Sequence, residues 1–351
     1  MTPAGTELPF EFAPPGRIIF GFGRARSAAE HIARMGSRVL LVCSPRSVHA
    51  AALAASLARA GMPCTQWHVV REPALDDIRG GVACARQHGC DVVFGVGGGS
   101  AIDAAKAIAA FVTNAGDVLE YLEGIGGGAA LVQPPLPCIA APTTAGTGAE
   151  VTFNAVLSSP EHRVKVSVRS PLLAPRLAIV DPELTLSMPP ALTAATGMDA
   201  LTQLIEAFVS RGANAMTDMA CRAGMQRAAQ SLRKAYRDGS DRAARADMAF
   251  AALCSGMALA NAKLGAVHGL AGPLGGLLNA PHGALCGRLL PFVIEANIAA
   301  LRAHHGDAAA ATLTRYAEIG ALMCGRAEPD ALLAHLRALC DWLGIIFSDR
   351  M

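Results

Sequence analysis

Hydrophobic residues in the first half of the chain form short, nearly continuous runs, separated by longer segments in which they recur at helical spacing. The runs predict strands at 17–21, 39–43, 66–70, 91–96, 138–141 and 177–180, and the segments predict helices at 24–35, 47–60, 75–88 and 101–112. Strands that are apolar on both faces are typical of a parallel sheet covered by helices on each side. The pattern therefore predicts an α/β fold for this half.

The rest of the chain predicts one hairpin and then helices only. Extended segments at 154–158 and 164–169 flank Ser159-Pro160-Glu161-His162, as in a β-hairpin. After Met188-Pro189-Pro190 the strand-like runs end, and the proline pair favours a helix start. We therefore predict an α/β dinucleotide-binding domain with a parallel sheet over residues 1–188 and an all-helical, metal-binding domain over residues 189–351.

Composition narrows the range of partners. The chain has 351 residues, of which 52% are hydrophobic and 17% charged, and its formal net charge is +2. A charge this small gives no electrostatic reason to expect nucleic acid or an anionic membrane as a partner. Ten cysteines occur without a Cys-x-x-Cys pair, which is typical of reduced core thiols in a cytoplasmic protein.

Neither the N-terminus nor the longest apolar stretch predicts membrane targeting. Met1 to Phe12 has neither a basic start nor a continuous apolar segment, so no signal peptide is predicted. Residues 251–280 are long enough to span a bilayer, but polar residues and a proline interrupt them. The interrupting residues are Asn261, Lys263, His268, Pro273 and Asn279. We predict a buried pair of helices there, and no membrane association.

Two glycine-containing turns predict a nucleotide site. Gly97-Gly98-Gly99-Ser100 follows a predicted strand and opens a helix that continues through Asp103 and Lys106. Glycines let backbone N–H groups approach a pyrophosphate, which the helix N-terminus also attracts. Residues 142–150, with Thr143, Thr144 and Thr147, follow another strand. Either turn alone is also typical of a structural turn or helix cap, and G-x-G-x-x-G is absent from the sequence.

Four polar residues of the second half predict a metal site. Asp199 and Gln203 lie four residues apart and so share one helix face, while His268 and His282 follow in an apolar stretch. One carboxylate with two imidazoles suits Fe²⁺ or Zn²⁺ better than Ca²⁺ or Mg²⁺. The alternatives are that each histidine is a hydrogen-bonded core residue, and that Asp199 is a helix cap or an ion-pair partner.

Five segments together resemble the iron-containing (group III) alcohol dehydrogenases over nearly the whole chain. They are GVGGGSAIDAAKAIA (95–109), PTTAGTGAEVT (142–152), LAIVDPELTLSMPP (177–190), GMDALTQLIEAFVS (197–210) and GAVHGLAGPLGGLLNAPHGALC (265–286). The resemblance implies the two-domain architecture shared with dehydroquinate synthase, with a metal ion in the cleft between the domains. It also implies a homodimer or a larger homo-oligomer.

The resemblance also assigns residues. It implies that Gly98, Gly99, Ser100 and Asp103, beside Gly97, hold the phosphates and ribose of NAD or NADP. It places Thr143, Thr144 and Thr147 on the nicotinamide side with Val156 nearby, and it has Lys165 reach the cofactor. Asp199, Gln203, His268 and His282 would bind Fe²⁺, or Zn²⁺, and we assign catalysis to the ion with Asp199, His268 and His282.

The chain departs from the family pattern at four places. Gln203 stands where the family has histidine, and Gly272 stands where many members have a second histidine. The chain ends at Met351, where the family usually continues into further helix, so the last piece of the helical domain is expected to be missing. Ser44, followed by Pro45-Arg46, replaces an aspartate that binds the ribose in NAD-preferring members. Without this carboxylate the sequence is compatible with NADP as well as NAD.

The resemblance implies a metal-dependent, NAD(P)-linked oxidoreductase that interconverts a small alcohol and its aldehyde or ketone by hydride transfer. One alternative is a metal-independent keto-acid reductase of the maleylacetate reductase type, which the N-terminal half also resembles. A second is a dehydroquinate-synthase-like lyase, against which stands the lack of a dense Lys/Arg cluster near the histidines. A third is a catalytically silent homologue, suggested by Gln203 and the chain end.

Overall fold

The structure, a computed structural model, describes residues 9–162, 164–278, 280–304 and 306–345. In these residues six strands form one sheet in the order β1–β8–β5–β4–β2–β3, and every pairing in it is parallel. The strands are β1 (Arg17–Phe20), β2 (Val39–Cys43), β3 (Cys64–His68), β4 (Val92–Gly97), β5 (Cys138–Pro142) and β8 (Leu177–Val180). Outside this sheet, β6 (Asn154–Ser159) and β7 (Val164–Arg169) form the predicted antiparallel hairpin.

Helices cover both faces of the sheet, as the apolar strands predicted. They are α1 (Ala28–Ile32), α2 (Val48–Arg59), α3 (Leu75–Gln87) and α4 (Gly99–Thr113). Within β2, Leu40 and Val42 pack in one core with residues of α3 and α4, while Val39 and Leu41 pack in another with residues of α1 and α2. Successive side chains of a strand point to opposite faces, so β2 supplies both cores.

Helices make up the remainder of the described chain. They are α5 (Pro190–Phe208), α6 (Ala215–Arg237), α7 (Arg242–Ala262), α8 (Ala266–Leu278), α9 (His282–Ala303), α10 (Asp307–Cys324) and α11 (Pro329–Trp342). Helix α5 is central: it packs against α6, α7 and α9, and its residues from Gly197 to Phe208 are all buried. A parallel α/β sheet followed by a helical half is the predicted fold class, which is confirmed.

Several helices and strands begin or end at other residues than predicted. Residues 24–35 form a 3-10 helix at Arg24–Ser27 followed by the short α1, and not one continuous helix. The strand predicted at 66–70 begins two residues earlier, at Cys64. Residues 251–280 form the end of α7 and α8, the predicted pair of helices, but only α7 is largely buried; α8 exposes Leu270, Leu277 and Leu278, so the prediction of burial is wrong for it. Asn279 lies outside the described residues. The predicted division at 188 lies between the end of β8 and the start of α5.

Two helices, α7 and α9, are long and apolar enough to cross a membrane by length and composition alone. Their most apolar windows are 61% and 39% buried inside the structure, against other helices. Since the core helices of globular proteins meet the same criteria, this is weak evidence for a membrane span.

Candidate metal centre and nucleotide cleft

Three of the four predicted metal ligands converge with a cysteine at the centre of the helical half. Asp199 projects from α5, His268 from the first turn of α8, and His282 and Cys286 from the first two turns of α9. One donor atom from each of these four residues lies within 4.8 Å of the other three. His268 Nε2 is 3.4 Å and His282 Nε2 is 3.7 Å from Asp199 Oδ1.

The donor set fits a metal ion. The side chain of Asp199 is only 3% exposed. Its Oδ1 is buried and accepts no well-aligned hydrogen bond from any described residue. A buried carboxylate oxygen without a partner is costly. The imidazole nitrogens face this oxygen at separations too long for strong hydrogen bonds but suited to ligands that share one ion. The residues present therefore fit a divalent ion of the zinc or iron type.

Glu206 orients one of the imidazoles. Its Oε2 lies 2.6 Å from His268 Nδ1, and its Oε1 accepts a hydrogen bond of 2.7 Å from the backbone N–H of Val267. A carboxylate on one ring nitrogen keeps the proton there and leaves the other nitrogen free to bind a metal. Glu206 thus presents Nε2 of His268 to Asp199.

The electrostatics of the cluster favour a positive charge within it. Burial alone lowers the pKa of His268, but its contacts with Asp199, Cys286 and Glu206 raise that pKa well above the ordinary value. Burial raises the pKa of Asp199, and contacts with the two histidines outweigh this and lower it. Burial also raises the pKa of the Cys286 thiol, to about 11. These directions are those expected where buried carboxylates favour a positive charge beside them.

Gln203, the fourth predicted ligand, is engaged elsewhere. Its Oε1 lies 2.8 Å from the hydroxyl of Ser255 on α7, and that hydroxyl also lies 3.3 Å from the carbonyl oxygen of Gly146. The amide oxygen is the only atom of glutamine that suits a hard or borderline metal ion. In this structure it connects α5 to α7.

A cleft, where we predict the nucleotide to bind, lies at the carboxyl edge of the sheet, where β2, β3, β4 and β5 end. Its volume is about 390 Å³. Ligands of open parallel sheets bind at this edge. Among the predicted cofactor residues, those that line it are Ser44, Gly97, Gly98, Ser100 and Thr143. Arg46, His49, Arg71 and Glu72 complete its charged wall.

The other predicted cofactor residues pack around these two turns. A Cβ on Gly98 would lie 3.3 Å from Thr144, and one on Gly99 would lie 2.9 Å from Thr147. The threonine turn therefore packs directly on the glycine turn, and this close approach requires glycine at position 99. Thr147 Oγ1 also accepts a hydrogen bond of 3.3 Å from the N–H of Ala149, which is typical of a turn residue.

Asp103 and Lys165 have protein partners. Asp103 lies 2.8 Å from the buried Nζ of Lys106 and accepts a hydrogen bond of 3.1 Å from the N–H of Val156. Burial raises the pKa of this carboxyl, and Lys106 opposes the shift. Lys165, which its residue type alone would make a solvated charge, is 16% exposed and lies 2.7 Å from Glu72 of the cleft wall.

Sequence reasoning missed Cys286, Glu206 and Ser255. Glu206 carried a signal, because it follows Asp199 by seven residues and so lies on the same face of α5. Cys286 carried a similar one, since it follows His282 by four residues on α9. Ser255 carried none, as its contact with Gln203 depends on how α7 packs against α5.

Two family models together match most of the chain. Residues 15–182 match the family model "Iron-containing alcohol dehydrogenase", and residues 193–347 match "Fe-containing alcohol dehydrogenase family, C-terminal". Alcohol dehydrogenase 4 of Saccharomyces cerevisiae (strain YJM789) is 37% identical over 292 residues, which cover 82% of this chain and 75% of the relative. The 1,3-propanediol dehydrogenase of Klebsiella pneumoniae is 38% identical over 298 residues, which cover 83% of this chain and 76% of the relative.

Solved structures show the same fold. A 1,3-propanediol oxidoreductase superposes with a TM-score of 0.87 at 35% identity, covering 97% of this chain and 88% of that one. Sulfoacetaldehyde reductase from Bifidobacterium kashiwanohense, in complex with NAD+, superposes with a TM-score of 0.85 at 28% identity, covering 96% and 86%. The chain belongs to the iron-containing alcohol dehydrogenase family and is an NAD(P)-linked oxidoreductase of alcohols and aldehydes.

Proposed function

We propose that the chain interconverts a small alcohol and its aldehyde or ketone by a reaction that depends on a divalent ion held by Asp199, His268 and His282. The observation that carries this is the unpartnered oxygen of Asp199 facing two imidazole nitrogens. When bound, such an ion supplies Lewis acidity toward the substrate oxygen. A nicotinamide cofactor held by the two turns would supply the hydride acceptor for alcohol oxidation, and the hydroxyl proton would go to solvent.

Residues of the chain would orient the metal ligand His268 and hold the cofactor. Glu206 holds a proton at Nδ1 of His268, so Nε2 faces the site. Gly97, Gly98 and Ser100 lie at the N-terminus of α4, where backbone N–H groups and the helix dipole favour a pyrophosphate. We propose that Thr143, Thr144 and Thr147 flank the nicotinamide, and that Val156, whose side chain is 38% exposed, packs beside it.

The substrate side of the site has room. A Cβ on Gly269 or Gly272 would meet no heavy atom within 4 Å among the described residues. Gly272 follows His268 by four residues on α8, so it lies on the same helix face. We propose that the space beside His268 admits substrate, and that glycine at 272 accommodates a larger group there than histidine would.

Two alanine variants test this function. We expect Asp199→Ala and His268→Ala each to lower kcat/KM for an alcohol by more than about tenfold, because each removes a proposed metal ligand. His335→Ala, which removes a histidine on α11, serves as the matched control and should keep wild-type activity. Circular dichroism would confirm that the variants fold.

Chelation separates the alternatives. Activity that survives exhaustive chelation and both alanine substitutions would support a metal-independent keto-acid reductase and contradict the proposal. Nucleotide binding without turnover of any alcohol or aldehyde would indicate a catalytically silent homologue.

We also propose that the cleft accepts the 2′-phosphate of NADP. Ser44 follows β2 at the position where NAD-preferring dehydrogenases place a carboxylate, and Arg46 and Arg71 line the same cleft. Glu72, the acidic residue of this wall, is neutralised by Lys165 at 2.7 Å. Guanidinium groups bind phosphate in two-pronged hydrogen bonds, whereas a carboxylate at position 44 would repel it.

The test is the ratio of kcat/KM with NADPH to that with NADH. We expect Ser44→Asp to lower this ratio by at least about tenfold, equivalent to about 1.4 kcal/mol of differential binding, and Arg46→Ala to lower it as well. Arg59→Ala, at the exposed end of α2, is the control for loss of a positive charge. A ratio below one in the wild type, unchanged by either substitution, would contradict NADP use.

We propose further that the protein is cytoplasmic and homo-oligomeric. All ten cysteines are free, in keeping with a reducing compartment. Exposed apolar side chains on α8 and α9, namely Leu270, Leu277, Leu278 and Phe292, offer a surface for self-association. Light scattering on the purified protein would test this, and a monomer at micromolar concentration would contradict it.

A further inference from the structure

We infer that Cys286 is the fourth protein ligand of the metal centre, and that Gln203 does not bind the metal. This inference rests on the proposed function only in assuming that an ion binds at Asp199, His268 and His282. Cys286 follows His282 by four residues on α9, so both side chains leave the same helix face. Its thiol therefore points at the site for the same reason that His282 does.

The distances around Sγ match those of a tetrahedral site. Cys286 Sγ lies 3.5 Å from His282 Nε2 and 3.7 Å from His268 Nε2, and within 4.8 Å of Asp199 Oδ1. Metal bonds of about 2.0–2.3 Å at tetrahedral angles place neighbouring donor atoms about 3.3–3.6 Å apart. The two histidine–aspartate separations, 3.4 and 3.7 Å, fall close to the same range.

The contact of Gln203 with Ser255 argues against Gln203 as a metal ligand. Its amide oxygen lies 2.8 Å from the Ser255 hydroxyl, and both residues are buried. Moving this oxygen to the metal would break the buried contact between α5 and α7, and the hydroxyl would keep only the carbonyl oxygens of Ala252 and Gly146 as acceptors. Gln203 thus supports the packing of α5 on α7, while the thiol takes the ligand position.

A sulfur ligand changes the metal that the site prefers. Thiolates are soft donors, and a set of one sulfur, two imidazoles and one carboxylate suits Zn²⁺ better than Fe²⁺. Binding converts the thiol to a thiolate and releases one proton to solvent, with no change in oxidation state. The centre is therefore expected to retain zinc in a family named for iron.

Cobalt is the probe for the test, because a thiolate bound to Co²⁺ gives an intense charge-transfer band in the near ultraviolet. The full-length protein is stripped by chelation under reducing, oxygen-free conditions and reloaded with one equivalent of Co²⁺. We expect the band in the wild type and in Gln203→Ala, and its loss in Cys286→Ala and Asp199→Ala. Cys254→Ala, which removes another buried thiol of the helical half, should keep it.

The outcomes separate this inference from the function on which it rests. A wild type that binds one cobalt and oxidises alcohols without the band overturns the Cys286 assignment alone. The same holds if Gln203→Ala loses the band while Cys286→Ala keeps it. A wild type that binds no cobalt overturns both. The wild-type spectrum needs no variant, so the test stands even where Cys286→Ala fails to fold.

Metal competition gives a second readout. With Fe²⁺ and Zn²⁺ offered together in anaerobic dialysis, we expect the bound Zn:Fe ratio to fall by at least about tenfold in Cys286→Ala relative to wild type and to Cys254→Ala. An unchanged ratio would mean that sulfur does not contribute to the choice of metal.

Discussion

Glu150 lies in the 3-10 turn Ala149–Val151 that follows the threonine turn, and it is 3% exposed. Burial raises the pKa of its carboxyl to about 7, while its own backbone N–H and the charge of Lys106 oppose the shift. A carboxyl whose pKa is higher in the folded state binds more protons there than in the unfolded chain. Its contribution to stability is therefore present at low pH and is lost as the pH rises to about 7.

Replacing this carboxyl should change the pH dependence of folding. We expect the free energy of unfolding of Glu150→Gln, relative to wild type, to rise by about 2 kcal/mol between about pH 5.5 and about pH 8. Urea unfolding at the two pH values measures it. The exposed Glu161→Gln is the control and should show no such rise. A parallel pH dependence in wild type and Glu150→Gln would contradict the pKa direction.

At the scale of single residues, sequence could predict the metal site in part. Asp199, His268 and His282 stand in motifs whose spacing is informative, and the structure brings them together. Composition does not distinguish Cys286 from the other nine cysteines, since any of the ten could be a core residue. Gln203 was interpreted from its position alone, whereas its hydrogen bond to Ser255 depends on a helix 52 residues away in sequence.

Helix α4 is connected to the loop after β5 by one buried cation. Lys106 Nζ lies 2.8 Å from Asp103, and it donates hydrogen bonds to the Ala149 carbonyl at 2.9 Å and to Thr152 Oγ1 at 3.0 Å. The side chain of Lys106 is fully buried. Removing one partner of a buried ion pair leaves an uncompensated charge, which is more costly than losing the contact itself.

We expect Lys106→Met to lower the free energy of unfolding by about 3–5 kcal/mol. Arg302→Met, which breaks an exposed pair with Asp330, is the control and should cost less than about 1 kcal/mol. Urea unfolding of both variants and of the double variant Lys106→Met/Asp103→Asn measures this. Equal losses in the two single variants would show that the buried pair adds nothing to stability.

At the scale of elements, the bounds of a strand could be predicted where its residues form a continuous apolar run. They were predicted less well where polar residues are mixed in. Strands β2 and β8 match their predicted bounds because every residue in them is apolar and buried. Strand β3 is one of the two edge strands, and its residues Cys64–His68 are partly buried or exposed, so its start was misplaced by two residues. The break at Arg24–Ser27 follows from contacts with Asp181, which accepts hydrogen bonds from Gly23 and Ala25.

At the scale of the whole molecule, the metal centre should stabilise the helical half as a unit. Its proposed ligands come from α5, α8 and α9, of which α5 is far from the other two in sequence, so the site exists only in the folded chain. A ligand that binds only the folded state stabilises it by about 2.7 kcal/mol when present at about 100 times its Kd.

We therefore expect saturating Zn²⁺ to raise the Tm and the urea midpoint of the metal-stripped protein. Asp199→Ala should show no increase, and Gln203→Ala should show an increase close to that of wild type. An equal response of wild type and Asp199→Ala to zinc would place the bound ion at another site.

The ion pair between Glu72 and Lys165 belongs to the α/β half and lies against helix α8 of the helical half. Glu72 stands in the wall of the nucleotide cleft, and Lys165 Nζ lies 3.3 Å from where a Cβ on Gly275 of α8 would be. Helix α8 also carries His268. If an incoming nucleotide displaces Glu72, we expect Lys165 to move against this helix, which carries a proposed metal ligand. Thermodynamic linkage then demands reciprocity: whatever factor the nucleotide imposes on metal affinity, the metal imposes on nucleotide affinity.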